Sequence, residues 1–258
     1  MRRYQIELSV VNNISLAGDA FMLELTDNSP LPEAVPGQFA ELLVEGSVST
    51  FLRRPISIHD IDRNANVIRF LIRKVGNGTE KLSKLGKGDK LNVLLPLGNG
   101  FNFTNPAPKH PLLVGGGVGI APLFFLGKEM KDAGIEPTFL FGGRGKDNLL
   151  RMADFEKFGR VFVTTEDGSM GQKGFVTDHK LLIEETFDSI MACGPTPMMK
   201  AVARFANCKG VSCQVSLEHK MACGIGACLC CVEQTKEGNI CVCKEGPVFT
   251  TDRLLWQN

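Results

Sequence analysis

The chain has 258 residues, 43% of them hydrophobic, with 29 Lys and Arg against 28 Asp and Glu for a formal net charge of +1. That length supports two domains with separate cores. The near-neutral charge, without a basic tract or an aromatic-interleaved stripe, argues against a nucleic-acid partner, and no run approaches the ~18 consecutive apolar residues of a membrane span.

The N-terminus, Met1-Arg2-Arg3-Tyr4-Gln5-Ile6-Glu7-Leu8, alternates polar and apolar residues as a strand does and lacks the apolar core of a secretion signal. Nine Cys in such a chain point to a reducing cytoplasm. Six strands are predicted in the first hundred residues, at Gln5 to Asn12, Ala20 to Thr26, Gln38 to Val44, Arg54 to His59, Asn66 to Lys74 and Lys90 to Leu95, broken by Gly, Pro and Asp turns. Six antiparallel strands of this length close into a small barrel, and Thr79 to Lys84 reads as one short helix.

Within this region Arg54-Pro55-Ile56-Ser57 places a cation, a rigid turn and a hydroxyl on one extended segment, suited to a phosphate and the polar edge of a flavin. Leu71-Ile72-Arg73 then runs into Gly76-Asn77-Gly78-Thr79. There a glycine turn and the Thr79 hydroxyl at a helix start can hold a pyrophosphate. Taken singly, a solvated surface Arg and an ordinary turn explain these residues equally well.

Phe103 to His110 is Pro-rich and polar and marks a domain boundary. Beyond it the pattern changes to strands at Pro111 to Val114, Pro137 to Gly142, Arg160 to Thr165 and Ser189 to Cys193, with helical segments between them. The first of these is Ala121 to Asp132, with Pro122 in its first turn. Such alternation predicts a doubly wound parallel sheet. The loop Gly115-Gly116-Gly117-Val118-Gly119 sits where such a domain binds a dinucleotide, although Gly117-x-Gly119-x-x-Pro122 departs from the usual fingerprint, and a tight turn is the competing reading. Glu166-Asp167 after a strand end suits ribose hydroxyls and repels a 2′-phosphate, favouring NAD over NADP. Cys193-Gly194-Pro195 ends the last strand and brings Cys193 to the crevice at the carboxyl ends of the strands, near a nicotinamide. A small buried residue is the alternative.

The last segment carries Cys223-x4-Cys228-x2-Cys231-x11-Cys243, the plant-type spacing for a [2Fe–2S] cluster. Gly224, Gly226 and Ala227 let the backbone approach the cluster and turn its N–H groups toward sulfur. Disulfides would require an oxidising compartment. Zinc is the other alternative, through Cys228-x2-Cys231 and Cys241-x-Cys243, and leaves the glycine-rich loop unexplained. Ile240-Cys241-Val242-Cys243 alternates like a strand, so periodicity does not choose between Cys241 and Cys243 as fourth ligand. Cys208, Cys213 and Cys230 read as small buried hydrophobes.

Together, Arg54-Pro55-Ile56-Ser57, Gly78-Thr79, Gly115 to Pro122 and Cys193-Gly194-Pro195 resemble the ferredoxin-reductase superfamily. The tail, Cys223 to Cys231 with Cys243-Lys244-Glu245-Gly246-Pro247-Val248-Phe249, is similar to one branch, the electron-transfer subunits of NAD-dependent (type B) dihydroorotate dehydrogenases. Cys230 departs from the pattern at a position usually held by a small residue, and Ile56 replaces an aromatic. The resemblance implies a FAD-binding β-barrel over residues 1–104, an NAD-binding α/β domain over 105–215 and a [2Fe–2S] module over 216–258. It further implies FAD held by Arg54, Pro55, Ile56, Ser57, Leu71, Ile72, Arg73, Gly78 and Thr79, NAD at Gly115, Gly116, Gly117 and Gly119, and a cluster on Cys223, Cys228, Cys231 and Cys243. Its partner is an FMN-containing catalytic subunit that oxidises dihydroorotate in pyrimidine biosynthesis, in a heterotetramer with two copies of each subunit. The alternatives are the flavin subunit of another complex, such as an NADPH:ferredoxin or sulfide oxidoreductase, and a zinc-stapled binding module.

Overall fold

A computed structural model describes residues 2–46 and 50–256. The N-terminal part contains β1 (Tyr4–Ser15), β2 (Ala20–Thr26), β3 (Phe39–Leu42), β4 (Arg54–Ser57), β5 (Asp60–Asp62), β6 (Val67–Arg73), the helix α1 (Asn77–Leu82) and β7 (Lys90–Leu97). The strands form one antiparallel sheet of seven, ordered β4-β3-β7-β1-β2-β6-β5. Seven replace the expected six because the run expected over Arg54 to His59 ends as β4 at Ser57, paired with β3, and a further short strand, β5, follows at Asp60–Asp62 and pairs with β6; the His59 N–H donates to the Arg69 carbonyl at 2.9 Å between them. One segment thereby joins the two edges of the sheet. The alternating inward residues, among them Leu8, Leu23, Leu25, Ala40, Leu42, Ile68 and Phe70, fill its core.

The second part is a parallel sheet built from β8 (Pro111–Gly116), β9 (Thr138–Gly143), β10 (Arg160–Thr165), β11 (Gln172–Lys173), β12 (Ser189–Cys193) and β13 (Ser212–Ser216). Helix α2 (Ala121–Asp132), the single turns α3 (Met152–Phe155) and α4 (Leu181–Glu184), and α5 (Thr196–Lys209) connect them. The order β11-β10-β9-β8-β12-β13 reverses between β8 and β12, the position at which an open α/β sheet leaves a ligand crevice. Gly115 and Gly116 were expected in a loop but finish β8, and the turn that follows is a single 3-10 turn at Gly117–Ile120.

The C-terminal segment comprises the hairpin β14 (Val232–Thr235) and β15 (Gly238–Cys241), the helical turn α6 (Val242–Glu245) and β16 (Val248–Thr250). β16 returns to pair antiparallel with β13, extending the parallel sheet. Asn99 ties the same segment to the barrel. Its backbone N–H donates to Gly246, and its side-chain amide donates to the carbonyls of Lys244 at 3.3 Å and Glu245 at 3.0 Å. The barrel and the parallel sheet are also joined directly. Asp60 accepts from Arg69 and from Lys128 of α2, both at 2.7 Å, and the His59 ring stacks on Phe124 with centroids 4.5 Å apart. No helix among the described residues is long and apolar enough to cross a membrane.

Candidate functional site

A cleft of about 600 Å³ opens where the barrel, the parallel sheet and the cysteine-rich segment meet. Arg54, Pro55, Ile56 and Ser57 of β4, together with Leu71, Ile72, Arg73 and Thr79, form its barrel wall. Gly119, Pro122 and Cys193 come from the sheet, and Met221 and Cys230 from the cysteine-rich segment. All the flavin-directed residues read from the sequence except Gly78 therefore line one cavity. Gly78 acts behind it, since a Cβ there would sit 3.0 Å from the Arg54 side chain and displace it.

The two neighbouring arginines divide their roles. Arg53 donates to the carbonyls of Glu41 and Asn92, both at 3.2 Å, and to the Asn92 side chain at 2.6 Å, binding β3 to β7. Arg54 instead lines the cleft, held by bonds to the carbonyls of Arg53 at 3.0 Å and Leu52 at 3.2 Å. The Thr79 hydroxyl differs from expectation. It accepts from the Val75 N–H at 2.9 Å and donates to the Gly76 carbonyl at 3.0 Å, so it shapes the turn from within.

A second cavity of about 540 Å³ lies over the carboxyl ends of β8, β9 and β10. Gly116 and Gly117 border it, with Arg144, Glu166 and the exposed Phe175 beyond them, and Arg73 reaches both cavities. Gly115 borders neither; a Cβ there would fall 2.7 Å from Ile120 and 2.8 Å from Phe141, so its smallness serves packing. Gly119 serves a similar end, because a Cβ there would lie 2.5 Å from the Cys193 carbonyl oxygen. Asp167 is turned to Ser169, accepting its N–H at 2.9 Å and its hydroxyl at 2.7 Å, which leaves Glu166 as the acid facing the cavity. Cys193 is buried, and its thiol is pushed up to about 12 by burial, with Glu218 adding to the effect. It is a neutral thiol, not a nucleophile. Arg144, Phe175 and Glu218 were not singled out from the sequence, because loop residues beyond strand ends carry no periodicity; only their position after a strand marks them.

The cysteines gather on the other side of the first cleft. Gly226, at φ 84°, turns its N–H onto the Cys243 sulfur at 3.1 Å. The N–H groups of Ala227 and Cys228 reach the Cys223 sulfur at 3.3 and 3.4 Å, and that of Cys243 reaches the Cys231 sulfur at 3.4 Å. These donors favour thiolate, although at Cys243 burial and the neighbouring Cys231 outweigh the Gly226 N–H and push the thiol up to about 12. At Cys223 burial opposes them, yet the N–H groups of Ile225, Cys228 and Ala227 and the Cys228 thiol outweigh it and bring the pKa down to about 6. Glycine is required at 224 and 226, where φ is positive. A Cβ on Gly224 would also meet the Glu41 side chain at 2.8 Å.

The expected strand over Ile240 to Cys243 stops at Cys241, and α6 begins. That helical turn separates the two thiols. Cys243 is buried against Gly226 and Cys231, while the Cys241 sulfur lies 4.0 Å from the Gly226 carbonyl. Two further expectations are corrected: Cys208 is exposed on α5, and Cys230 is exposed on the cleft wall. Cys213 is buried as expected. His219 Nε2–H donates to the Glu233 carboxylate at 2.8 Å. Among the described residues no three His, Cys, Asp or Glu side chains converge on one point for a single metal ion. The donor set fits a two-iron cluster, with three thiols spread along the loop from Cys223 to Cys231, a fourth at Cys243 on α6, and backbone N–H groups that point at sulfur.

Comparison with known proteins agrees with this geometry. Residues 218–255 match the iron-sulfur cluster binding domain of dihydroorotate dehydrogenase B, and residues 113–204 match the oxidoreductase NAD-binding domain. The chain is 39% identical over 250 residues to the dihydroorotate dehydrogenase B (NAD(+)) electron transfer subunit of Fusobacterium nucleatum, covering 94% of this chain and 95% of that one. With the subunit of the same name from Listeria innocua it shares 41% over 257 residues, covering 97% and 98%. Among solved structures, a chain of an NADH-dependent reduced ferredoxin–NADP oxidoreductase, described for flavin-based electron bifurcation, superposes with a TM-score of 0.85 at 34% identity, covering 96% of this chain and 90% of that one. A ferredoxin reductase of carbazole 1,9a-dioxygenase shares the fold, with a TM-score of 0.68 at 21% identity over 82% of this chain and 67% of that one. The chain belongs to the family of electron transfer subunits of NAD(+)-dependent dihydroorotate dehydrogenase B.

Proposed function

We propose that this chain is an electron conduit. It accepts electrons one at a time from the FMN of a dihydroorotate-oxidising partner and delivers them in pairs, as hydride, to NAD⁺. The observation that carries this reading is the shared cleft. Arg54 to Ser57 on one wall, Gly119 and Cys193 on another and Cys230 on a third leave the flavin-directed, dinucleotide-directed and cysteine-rich segments no further apart than one cavity. A [2Fe–2S] cluster exchanges single electrons, FAD converts between single electrons and hydride, and NAD⁺ takes the hydride.

The protein's own residues bind, orient and exclude water. Cys223, Cys228, Cys231 and Cys243 are the thiolates for the cluster, and burial of Cys231 and Cys243 shields its inner side. Arg54 offers the cation for the FAD phosphates, while Pro55, Ile56 and Ser57 with Leu71 to Arg73 form the face for its ring. Gly116 and Gly117 leave room for a dinucleotide backbone, and Glu166 suits ribose hydroxyls. Arg73 borders both cavities and would lie between the two nucleotides if each cavity is filled.

The partner is an FMN-containing catalytic subunit, in a heterotetramer of two copies of each chain in the cytoplasm. The likeness to the ferredoxin–NADP oxidoreductase chain supports a second reading, the flavin subunit of a ferredoxin-linked complex. Purification with the native partner decides between them. FAD and two irons with two sulfides on this chain, FMN on its partner, and NAD⁺ reduction driven by dihydroorotate are expected. A ferredoxin-reducing partner without FMN overturns the first reading.

A further inference from the structure

Electrons that arrive through an iron-sulfur cluster carry no proton, whereas a hydride leaving to NAD⁺ carries one. On the reading proposed above, the cleft must therefore take up one proton for every two electrons. Its wall offers few groups able to supply it. Arg54 from β4, Arg73 from β6 and Lys220 line it as cations suited to phosphates. The thiol of Cys193 at the end of β12 stays protonated because of its burial. His219 is engaged with Glu233 at 2.8 Å, and the Thr79 hydroxyl is committed to its own turn.

Glu218 is different. It follows the end of β13, where Ser216 pairs with Cys193, and its backbone is steadied by the Leu217 N–H bond to the Pro247 carbonyl at 2.9 Å. Its carboxyl lines the cleft and has no hydrogen-bond or ion-pair partner among the described residues. The residue is exposed overall, and the desolvation it meets where it lines the cleft shifts its pKa upward. A general acid works best when its pKa approaches the operating pH. Among the described residues it is the one carboxyl on the wall of this cleft, and it is exposed to solvent.

We propose that Glu218 is the proton donor of the flavin cleft, giving a proton to the flavin as the second electron arrives and recovering it from water at the cleft mouth. The step balances. FAD, two electrons from the partner and one proton from the Glu218 carboxyl give the reduced flavin anion FADH⁻ and a carboxylate. Transfer of hydride from FADH⁻ to NAD⁺ then restores FAD, and water returns the proton to Glu218.

The test compares two half-reactions of the loaded chain, followed by the bleaching of flavin absorbance in stopped flow. NADH brings its hydrogen with the electrons; reduced methyl viologen brings electrons alone. In Glu218→Gln the ratio of the viologen rate to the NADH rate falls about 100-fold. The solvent deuterium isotope effect on the viologen route also changes, and Glu218→Asp recovers part of the ratio. In the unmodified chain the viologen rate declines with rising pH as the carboxyl ionises; in Glu218→Gln that step is absent. An unchanged ratio overturns the proposal, as does equal slowing of both routes, which marks Glu218 as a wall residue only. A purified unmodified chain without flavin absorbance overturns the conduit reading itself, and is seen before any variant is made.

Discussion

Cys243 and Cys241 stand two residues apart with the same chemistry, and the backbone between them separates their fates. The helical turn α6 carries Cys243 inward to the Gly226 N–H at 3.1 Å and leaves Cys241 beside a carbonyl. Replacing Cys223, Cys228, Cys231 or Cys243 by Ser is expected to abolish bound iron and sulfide, whereas Cys208→Ser and Cys241→Ser retain them. Iron and sulfide content of each variant checks this. Glu41 makes a second case. It is fully buried and neither carboxylate oxygen has a partner. Burial pushes its pKa up to about 7, with Arg54 and Arg53 pulling it back and Cys223 adding to the rise. A carboxyl whose folded pKa lies above its unfolded value contributes fully below the unfolded pKa, and stability is lost as pH rises through the folded one. Between the unfolded value of 4.5 and about 7 the loss amounts to about 3 kcal/mol. Glu41→Gln removes it. The variant's melting temperature should fall less than the unmodified chain's between pH 5 and pH 8, by about 5–10 °C.

At the scale of elements, alternation made most of the barrel legible, since one face of each strand is buried and the other is not. The parallel strands were legible as apolar runs, and β10 and β12 have the expected bounds. The end of β4 at Ser57 and the short β5 after it were not, because they pair with two different neighbours and that pairing is nonlocal. The return of β16 to β13 was missed for the same reason. So were Glu218 and Glu41: nothing in a local window shows that a carboxyl will face a cleft or lie beneath a loop. The cysteine spacing and the Arg54 to Ser57 segment were legible because their chemistry is written in consecutive residues. The join between barrel and sheet is testable at this scale. Asp60, with its side chain 6% exposed, takes both Arg69 and Lys128 at 2.7 Å. Asp60→Ala removes the carboxylate that Arg69 and Lys128 share, leaving Arg69 to Glu24 at 2.8 Å, and is expected to destabilise the fold by about 2–4 kcal/mol. The thermal midpoint measures it, and Lys128→Met in the same background should recover part of the loss.

On the scale of the whole molecule, the proposed conduit divides labour between two chains, and the inventory of groups sets the division. Oxidation of dihydroorotate requires a base to remove a proton from carbon. The four histidines do not supply one. His59 bonds the Ala121 carbonyl at 2.9 Å within the interface between barrel and sheet, His179 is buried behind α4, His219 is engaged with Glu233 at 2.8 Å, and His110 lies outside both cavities. The loaded chain alone is therefore expected to oxidise NADH with an artificial acceptor and to leave dihydroorotate untouched. The cluster loop is the surface expected to meet the partner. Ile225 is 40% exposed and Leu229 64% exposed, two apolar side chains beside the cysteines, whereas the neighbouring Met221 is buried in the core. Apolar groups left in water at the loop where electrons enter suit the centre of a subunit contact. Leu229→Glu and Ile225→Glu should each preserve iron, sulfide, flavin and NADH oxidation while weakening assembly with the catalytic subunit and dihydroorotate-driven NAD⁺ reduction by at least tenfold, the effect of about 1.4 kcal/mol. Sedimentation of the mixed subunits and the two assays, run with and without the partner, read these outcomes separately. Dihydroorotate oxidation by the isolated chain would remove the division of labour, and undiminished assembly of both variants would place the contact elsewhere.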